Sequence, residues 1–189
     1  MIVERTGDIF TTEAAAIGHG CNCRGSMGAG IAAQIKKRYP AAFEEYRAAC
    51  AAGTFRPGAV QLVKTKPRWI LNMATQDSYG RPVWKGGSVW ASSAWIEECL
   101  ITVRALADEH RIKLVAFPRV GCELGGLFWD LADFEEKKRR FGPAVGSSPE
   151  PSGYVKQILT RVFESASVMI ELWTYARWHN GECGIGEQE

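Results

Sequence analysis

The sequence predicts an α/β fold with a largely parallel sheet covered by helices on both faces. Three observations predict it. Short β-like runs alternate with helical patterns along most of the chain, the alternation that builds parallel sheets with helical layers. Two glycine-rich stretches, one within residues 18–30 and one within 121–126, each follow a strand-like run. Finally, 189 residues at 46% hydrophobic and 23% charged supply one ordinary domain with a full-sized core.

Taken in order, Ala14–His19 reads as a small-residue strand entering the first glycine loop. Met27, Ile31 and Ile35 fall on one face of a helix, with Lys36, Lys37 and Arg38 near its end, where cations suit the helix dipole. Pro40 stops that helix, and Ala41–Ala52 reads as a second one ending at Gly53. Ala59–Val63 and Trp69–Met73 read as strands split by Lys-Pro turn chemistry. Gln76–Gly87 is a loop rich in Gly, Pro and polar residues. Ser92 or Ser93 caps a long helix whose apolar face is Trp95, Cys99, Val103 and Leu106. Lys113–Phe117 is a strand running into Pro118 and the second glycine loop, Tyr154–Phe163 is helical, and Val168–Tyr175 is the last strand. Between them, the charge run Glu135–Arg140 reads as a solvated helical face and residues 141–153 as a mobile surface loop. Residues 179–189 read as a disordered tail.

Composition narrows the function classes. A formal net charge of +2 implies no broad nucleic-acid footprint. No apolar run approaches the roughly 20 residues of a membrane helix. MIVERTGDIF carries acids and lacks a long apolar core, so it does not read as a signal peptide. A cytoplasmic protein without a membrane partner is the default expectation. The six cysteines, Cys21, Cys23, Cys50, Cys99, Cys122 and Cys183, lack zinc-ligand spacing, and His19, His110 and His179 are scattered. Reduced cysteines and no metal are expected.

In a sheet of this class ligands sit outside the carboxyl ends of strands. Both glycine loops would lie at that edge, where their backbone N–H groups can surround an anion. Gly28 to Ala33 also fits the dinucleotide fingerprint G-x-G-x-x-G/A. That site needs a second strand ending in an acid about 20 residues on, whereas here two helical patterns intervene before Ala59. An NAD dehydrogenase is therefore disfavoured, and a P-loop is excluded by the absence of Gly-Lys-Ser/Thr. A tight structural turn remains the plain alternative.

Four stretches together resemble the macrodomain family. His19 to Ile35, with Arg38, Tyr39 and Pro40, resembles its first ligand loop, and Gly7, Asp8 and Ile9 resemble its adenine-side motif. Ile70 to Gln76 resembles its central strand, and Pro118 to Trp129 its second, phosphate-gripping loop. The likeness is strongest to the branch processing ADP-ribose 1″-phosphate and to related ADP-ribosyl hydrolases. It implies a single domain over residues 1–178, a three-layer α/β/α sandwich with a mostly parallel mixed sheet, and an insert at about 130–153 that forms a lid or has no function.

The same resemblance implies roles. Asp8 would accept from the adenine amino group with Ile9 packed nearby, and Asn22 would bond hydroxyls of the distal ribose. Gly28, Ala29, Gly30 and Ile31 would present N–H groups to the diphosphate. Arg119 and the stretch Gly121, Cys122, Glu123, Leu124, Gly125, Gly126 and Leu127 would close over it, and Cys21 would line the pocket. His19 aligns with a histidine that phosphatase-type members use near the distal ribose, so His19 and Asn22 are the catalytic candidates; a histidine simply held at a strand end is the alternative. Other branches use a lysine after the central strand and an aspartate in the second loop, where this chain has Gln76 and Gly125. Asp77, Lys85 and Glu123 lie close by as substitutes, or as plain loop charges. Arg24 could pair with a terminal phosphate, and Trp84, Trp90 and Trp129 could stack on a base or fill the core.

The implied activity is hydrolysis of ADP-ribose 1″-phosphate without a cofactor. Removal of ADP-ribose from protein or nucleic acid is the alternative, and a non-catalytic ADP-ribose reader the third reading. The implied partner is ADP-ribose or an ADP-ribosylated substrate, with nucleic acid entering only if it carries ADP-ribose. The oligomeric state is left open.

Overall fold

Ile2–Thr6 (β1) runs parallel to Met169–Thr174 (β6) at one edge of a six-stranded sheet. The structure, a computed structural model, describes residues 1–83, 86–147 and 149–175. The remaining strands are Ala16–Cys21 (β2), Val60–Val63 (β3), Trp69–Ala74 (β4) and Leu114–Pro118 (β5). Their spatial order is β1-β6-β5-β2-β4-β3, parallel throughout except for the antiparallel β3–β4 pair. The largely parallel sheet is the one expected from the alternation of elements, and its mixed character the one the resemblance implied. β1 was not legible: IVERT is a five-residue edge strand with three exposed positions, so little of it alternates.

Helices Gly30–Arg38 (α1) and Pro40–Ala51 (α2) cover one face, packing Ile35, Ala42, Phe43 and Tyr46 onto Ile17, Cys21, Ile70 and Ala74. Pro40 occupies the first position of α2, where its missing N–H costs nothing. Helices Ser93–Glu109 (α3) and Val155–Phe163 (α5) cover the other face, against Leu71, Met73, Val115, Phe117 and Ile170. The result is a three-layer α/β/α sandwich.

Two details differ from expectation. Ser92 does cap α3, its Oγ accepting from Trp95 N at 3.5 Å. The buried stripe is Ile96, Cys99, Leu100, Val103 and Ala107, with Trp95 and Leu106 at its margins, so the helix is rotated from the face first read. Met27 is buried, but ahead of α1 and not on it.

Within the stretch 141–153 expected to be a surface loop, Gly142–Val145 and Pro151–Gly153 form short 3-10 turns. Leu131–Phe141 forms a helix (α4) capped by Asp130, whose side chain accepts from Asp133 N at 3.0 Å. Phe128, Phe134, Val145 and Tyr154 make a small core of their own beneath it, with the Phe128 and Phe134 rings edge-to-face at 5.1 Å. In the charge run, Glu135, Glu136, Arg139 and Arg140 are exposed as expected, but Lys137 is only 8% exposed. Trp84, Lys85 and the tail at 179–189 lie outside the described residues.

Candidate functional site

Because β1, β6, β5, β2 and β4 run parallel, their carboxyl ends share one edge. The first glycine loop leaves β2 and the second leaves β5, its immediate neighbour, with Ala16 opposite Val115 and Ile17 opposite Ala116. Neighbouring strands lie about 4.8 Å apart, so the loops start side by side at the edge where such sheets bind ligands.

The first loop has a closed half and an open half. Asn22 organises the closed half. Its Oδ1 accepts from Arg24 N at 2.9 Å and from the buried Tyr46 hydroxyl at 2.9 Å, and its Nδ2 donates to Ser26 O at 2.7 Å. Asp77 holds the same stretch from the loop after β4: its carbonyl accepts from Cys23 N at 3.1 Å, and its carboxylate pairs with Arg24. In the open half, Gly28, Ala29 and Gly30 are exposed and Ile31 is half-buried. Ala29, the N-cap of α1, offers no side-chain cap, and the first turn holds no acid. Among the described residues nothing accepts from the N–H groups of residues 28–31. Gly30 sits at φ 57°, and a Cβ there would meet nothing within 4 Å. Unspent N–H donors at the positive end of a helix dipole, with room in front of them, make an anion cradle.

Gly18 and Gly20 have a different purpose. They point to the α3 side of β2, where a Cβ at Gly18 would overlap the Phe117 ring and one at Gly20 would lie 2.7 Å from Thr75 Oγ1. Sheet packing, and not ligand approach, keeps them bare.

His19 lies on the opposite face of β2 and is fully buried. Its Nε2 is 2.8 Å from Asn72 Oδ1 on β4; Asn72 Nδ2 in turn donates to Ala42 O and Gln61 Oε1, both at 3.1 Å. Since the Asn72 amide nitrogen is already donating, its oxygen is the acceptor and His19 Nε2 carries the proton. Burial lowers the His19 pKa to about 4, with the Asn72 bond opposing that shift. The imidazole expected to act as acid or base on a substrate thus sits fully buried, in a pair with Asn72.

The second loop is built by close packing. Gly121 has φ 74°, and a Cβ there would lie 2.6 Å from Ile96 Cδ1. Gly125 packs onto Ala91 and its carbonyl accepts from Trp90 N and Ala91 N, both at 2.8 Å. Leu127 N closes back on Gly121 O at 3.0 Å. Cys122 is fully buried and Leu124 is 38% exposed. Burial pushes the Glu123 carboxyl up, opposed by the Lys137 charge. Arg119 stacks over Trp129 at 5.7 Å.

The Macro domain family model matches residues 19–133, from His19 in β2 to Asp133 in α4. The chain is a macrodomain. It is 33% identical over 141 residues to the DNA ADP-ribosyl glycohydrolase of Mycobacterium tuberculosis, covering 72% of this chain and 37% of the relative. It is 54% identical over 50 residues to the ADP-ribose 1″-phosphate phosphatase of Aspergillus clavatus, covering 26% of this chain and 25% of that protein. The chain thus spans well under half the length of these relatives. Among solved structures, the macrodomain of Mycobacterium tuberculosis DarG superposes with a TM-score of 0.68 at 28% identity, over 92% of this chain and 97% of that one.

In this macrodomain the two glycine loops leave adjacent strands of one sheet edge, and Gly7 and Asp8 follow β1 at the same edge. The Asp8 carboxylate accepts from Phe10 N at 3.0 Å and lies 3.8 Å from Arg38, whose guanidinium stacks on Phe10 at 4.3 Å. Ile9 is buried beside it. Cys21 faces inward with its thiol pushed well up by burial, and Trp129 fills the core. Asn22 is 8% exposed and spends its side-chain atoms on the first loop and Tyr46, so it shapes that loop. Trp90 is half-buried and its Nε1 donates to Arg81 O at 2.9 Å. Sequence reasoning missed Tyr46, Asp133 and Lys137. The first two of these signals were present: an aromatic on the inner face of α2, and Asp130 with Asp133 spaced as a helix cap before Phe134.

Among the described residues, no group of three or more His, Cys, Asp or Glu is placed to hold a metal ion. No described helix is long and apolar enough to cross a membrane.

Proposed function

We propose that this macrodomain binds ADP-ribose at the carboxyl edge of its sheet and hydrolyses a derivative at the terminal ribose, with ADP-ribose 1″-phosphate as the foremost substrate. The observation that carries the reading is the uncapped N-terminus of α1, with the N–H groups of Gly28, Ala29, Gly30 and Ile31 open to an anion beside a second loop on the adjacent strand. A diphosphate suits it, because many donors at short range hold a delocalised charge where side chains would crowd it. Residues 121–127 close over the diphosphate from β5, and Asp8 takes the adenine end. With His19 buried and Asn22 committed, Asp77 is the carboxylate tied to the first loop, and it accepts the proton of the attacking water. Hydrolysis then yields ADP-ribose and inorganic phosphate. Residues 1–178 act as one such domain, and the five free thiols among the described residues suit a reducing, cytoplasmic setting.

A second reading, removal of ADP-ribose from DNA, is favoured by the length of the 141-residue match to the mycobacterial glycohydrolase, against 50 residues for the fungal phosphatase. Calorimetry with ADP-ribose, followed by two assays, tests both. Phosphate released from ADP-ribose 1″-phosphate and abolished in Asp77→Asn supports the phosphatase. ADP-ribose released only from an ADP-ribosylated oligonucleotide supports the second reading. Binding with neither activity leaves a reader, and no ADP-ribose binding overturns the proposal.

A further inference from the structure

Lys137 and Asp133 form an ion pair one turn apart on α4, Nζ to Oδ2 2.9 Å, with both side chains about nine-tenths buried. On an exposed helix face such a pair contributes little. Buried, it carries a desolvation cost that a helix alone does not recover, so its other partners matter. The Lys137 ammonium also donates to Cys122 O at 2.7 Å, at the start of the second glycine loop, and lies 5.7 Å from the Phe128 ring centroid. The same Asp133 oxygen accepts from Trp129 N at 2.9 Å, at the end of that loop. One ion pair therefore grips residues 122 and 129 together.

We infer that Asp133 and Lys137 are positioning residues for the second glycine loop: they turn the Cys122–Glu123 peptide so that its N–H is offered as a donor to the bound diphosphate. The inference rests on the ligand reading above. In a trans peptide the carbonyl and the N–H point in opposite directions. Drawing Cys122 O onto Lys137 thus aims the Glu123 N–H away from α4, and among the described residues nothing accepts from it. The loop has few bonds of its own to impose this orientation, chiefly Gly126 N to Glu123 O at 3.2 Å and Leu127 N to Gly121 O at 3.0 Å. α4 then braces the loop from behind.

The test is amide hydrogen exchange and calorimetry with ADP-ribose on the full chain, wild type against Lys137→Met. Because Lys137→Met leaves Asp133 buried and unpaired, the double variant Asp133→Asn with Lys137→Met is measured beside it; it is charge-neutral and keeps an acceptor for Trp129 N. We expect the double variant to keep wild-type protection in α3 and β4 while amides 121–127 exchange at least tenfold faster. ADP-ribose affinity falls about tenfold, and the ligand-induced shift of the Glu123 amide seen in wild type is lost. Unchanged exchange in residues 121–127, or faster exchange with affinity kept within twofold, overturns the inference. If wild type itself fails to bind ADP-ribose, the functional reading falls, while the exchange comparison still decides whether the pair positions the loop.

Discussion

His19 on β2 and Asn72 on β4 face each other in register, with Nε2 and Oδ1 2.8 Å apart in a fully buried layer. Burial makes His19 a pH liability, with the Asn72 bond opposing the shift. Its folded pKa of about 4 lies below the ordinary 6.5, so between these values the unfolded chain binds the extra proton. The stability this residue contributes is complete above pH 6.5 and is lost as pH falls toward 4, by ~3 kcal/mol at most. Urea unfolding at pH 7.5, 5.5 and 4.5 reads it, and His19→Phe should flatten the slope. Ligand affinity of the folded His19→Phe protein should stay within twofold of wild type; a hundredfold loss with the fold intact would restore His19 to the site.

Gly28 separates the cradle's two properties. A carboxylate placed there faces the positive end of α1, where it stabilises a helix by about 0.3–1 kcal/mol. On the proposed reading it also occupies the anion's place. Gly28→Asp should therefore melt no lower than wild type while binding ADP-ribose at least a hundredfold more weakly. A variant that binds normally would mean that the diphosphate lies elsewhere.

Tyr46 acts on the first loop from below. Its hydroxyl lies 2.9 Å from both the backbone and the side-chain oxygen of Asn22 and shares its one proton between them. Tyr46→Phe removes that donor from a buried position, costing about 1–2 kcal/mol of stability. Affinity for ADP-ribose should fall severalfold, because the Asn22 turn that presents residues 28–31 loosens. Chemical denaturation and calorimetry on the same sample give both numbers.

Four of the five described cysteines are held as thiols. Burial pushes the Cys21 and Cys122 thiols well up, Cys23 to about 11 and Cys99 to about 12. Thiolate being the reactive form, iodoacetamide at pH 7.5 should modify native protein far more slowly than urea-unfolded protein at these four positions. Peptide mapping by mass spectrometry follows each site. Rapid alkylation of Cys122 in the folded state would contradict its packing.

Much of the architecture was legible because it rests on local pattern. Pro40, Ser92 and the two glycine runs mark boundaries through backbone chemistry that does not depend on distant neighbours. β1 escaped because an edge strand of five residues draws its stability from pairing with β6, 168 residues away between Ile2 and Ile170. The site was legible where glycine exposes backbone and illegible where a side chain had to be pointed. His19 and Cys21 share one face of β2 while Gly18 and Gly20 share the other, a period-two fact that becomes meaningful only once the helical layers are in place.

By itself, the sequence determined an α/β chain with two strand-to-helix loops bare enough to surround an anion, because glycine content and apolar periodicity act within a few residues. The tertiary structure alone decided that those loops leave adjacent strands, that His19 is sealed beneath α1 and α2, and that Lys137 is drawn inward to a loop carbonyl. Those outcomes depend on which groups lose their water when the layers close, and desolvation is a property of the assembled fold.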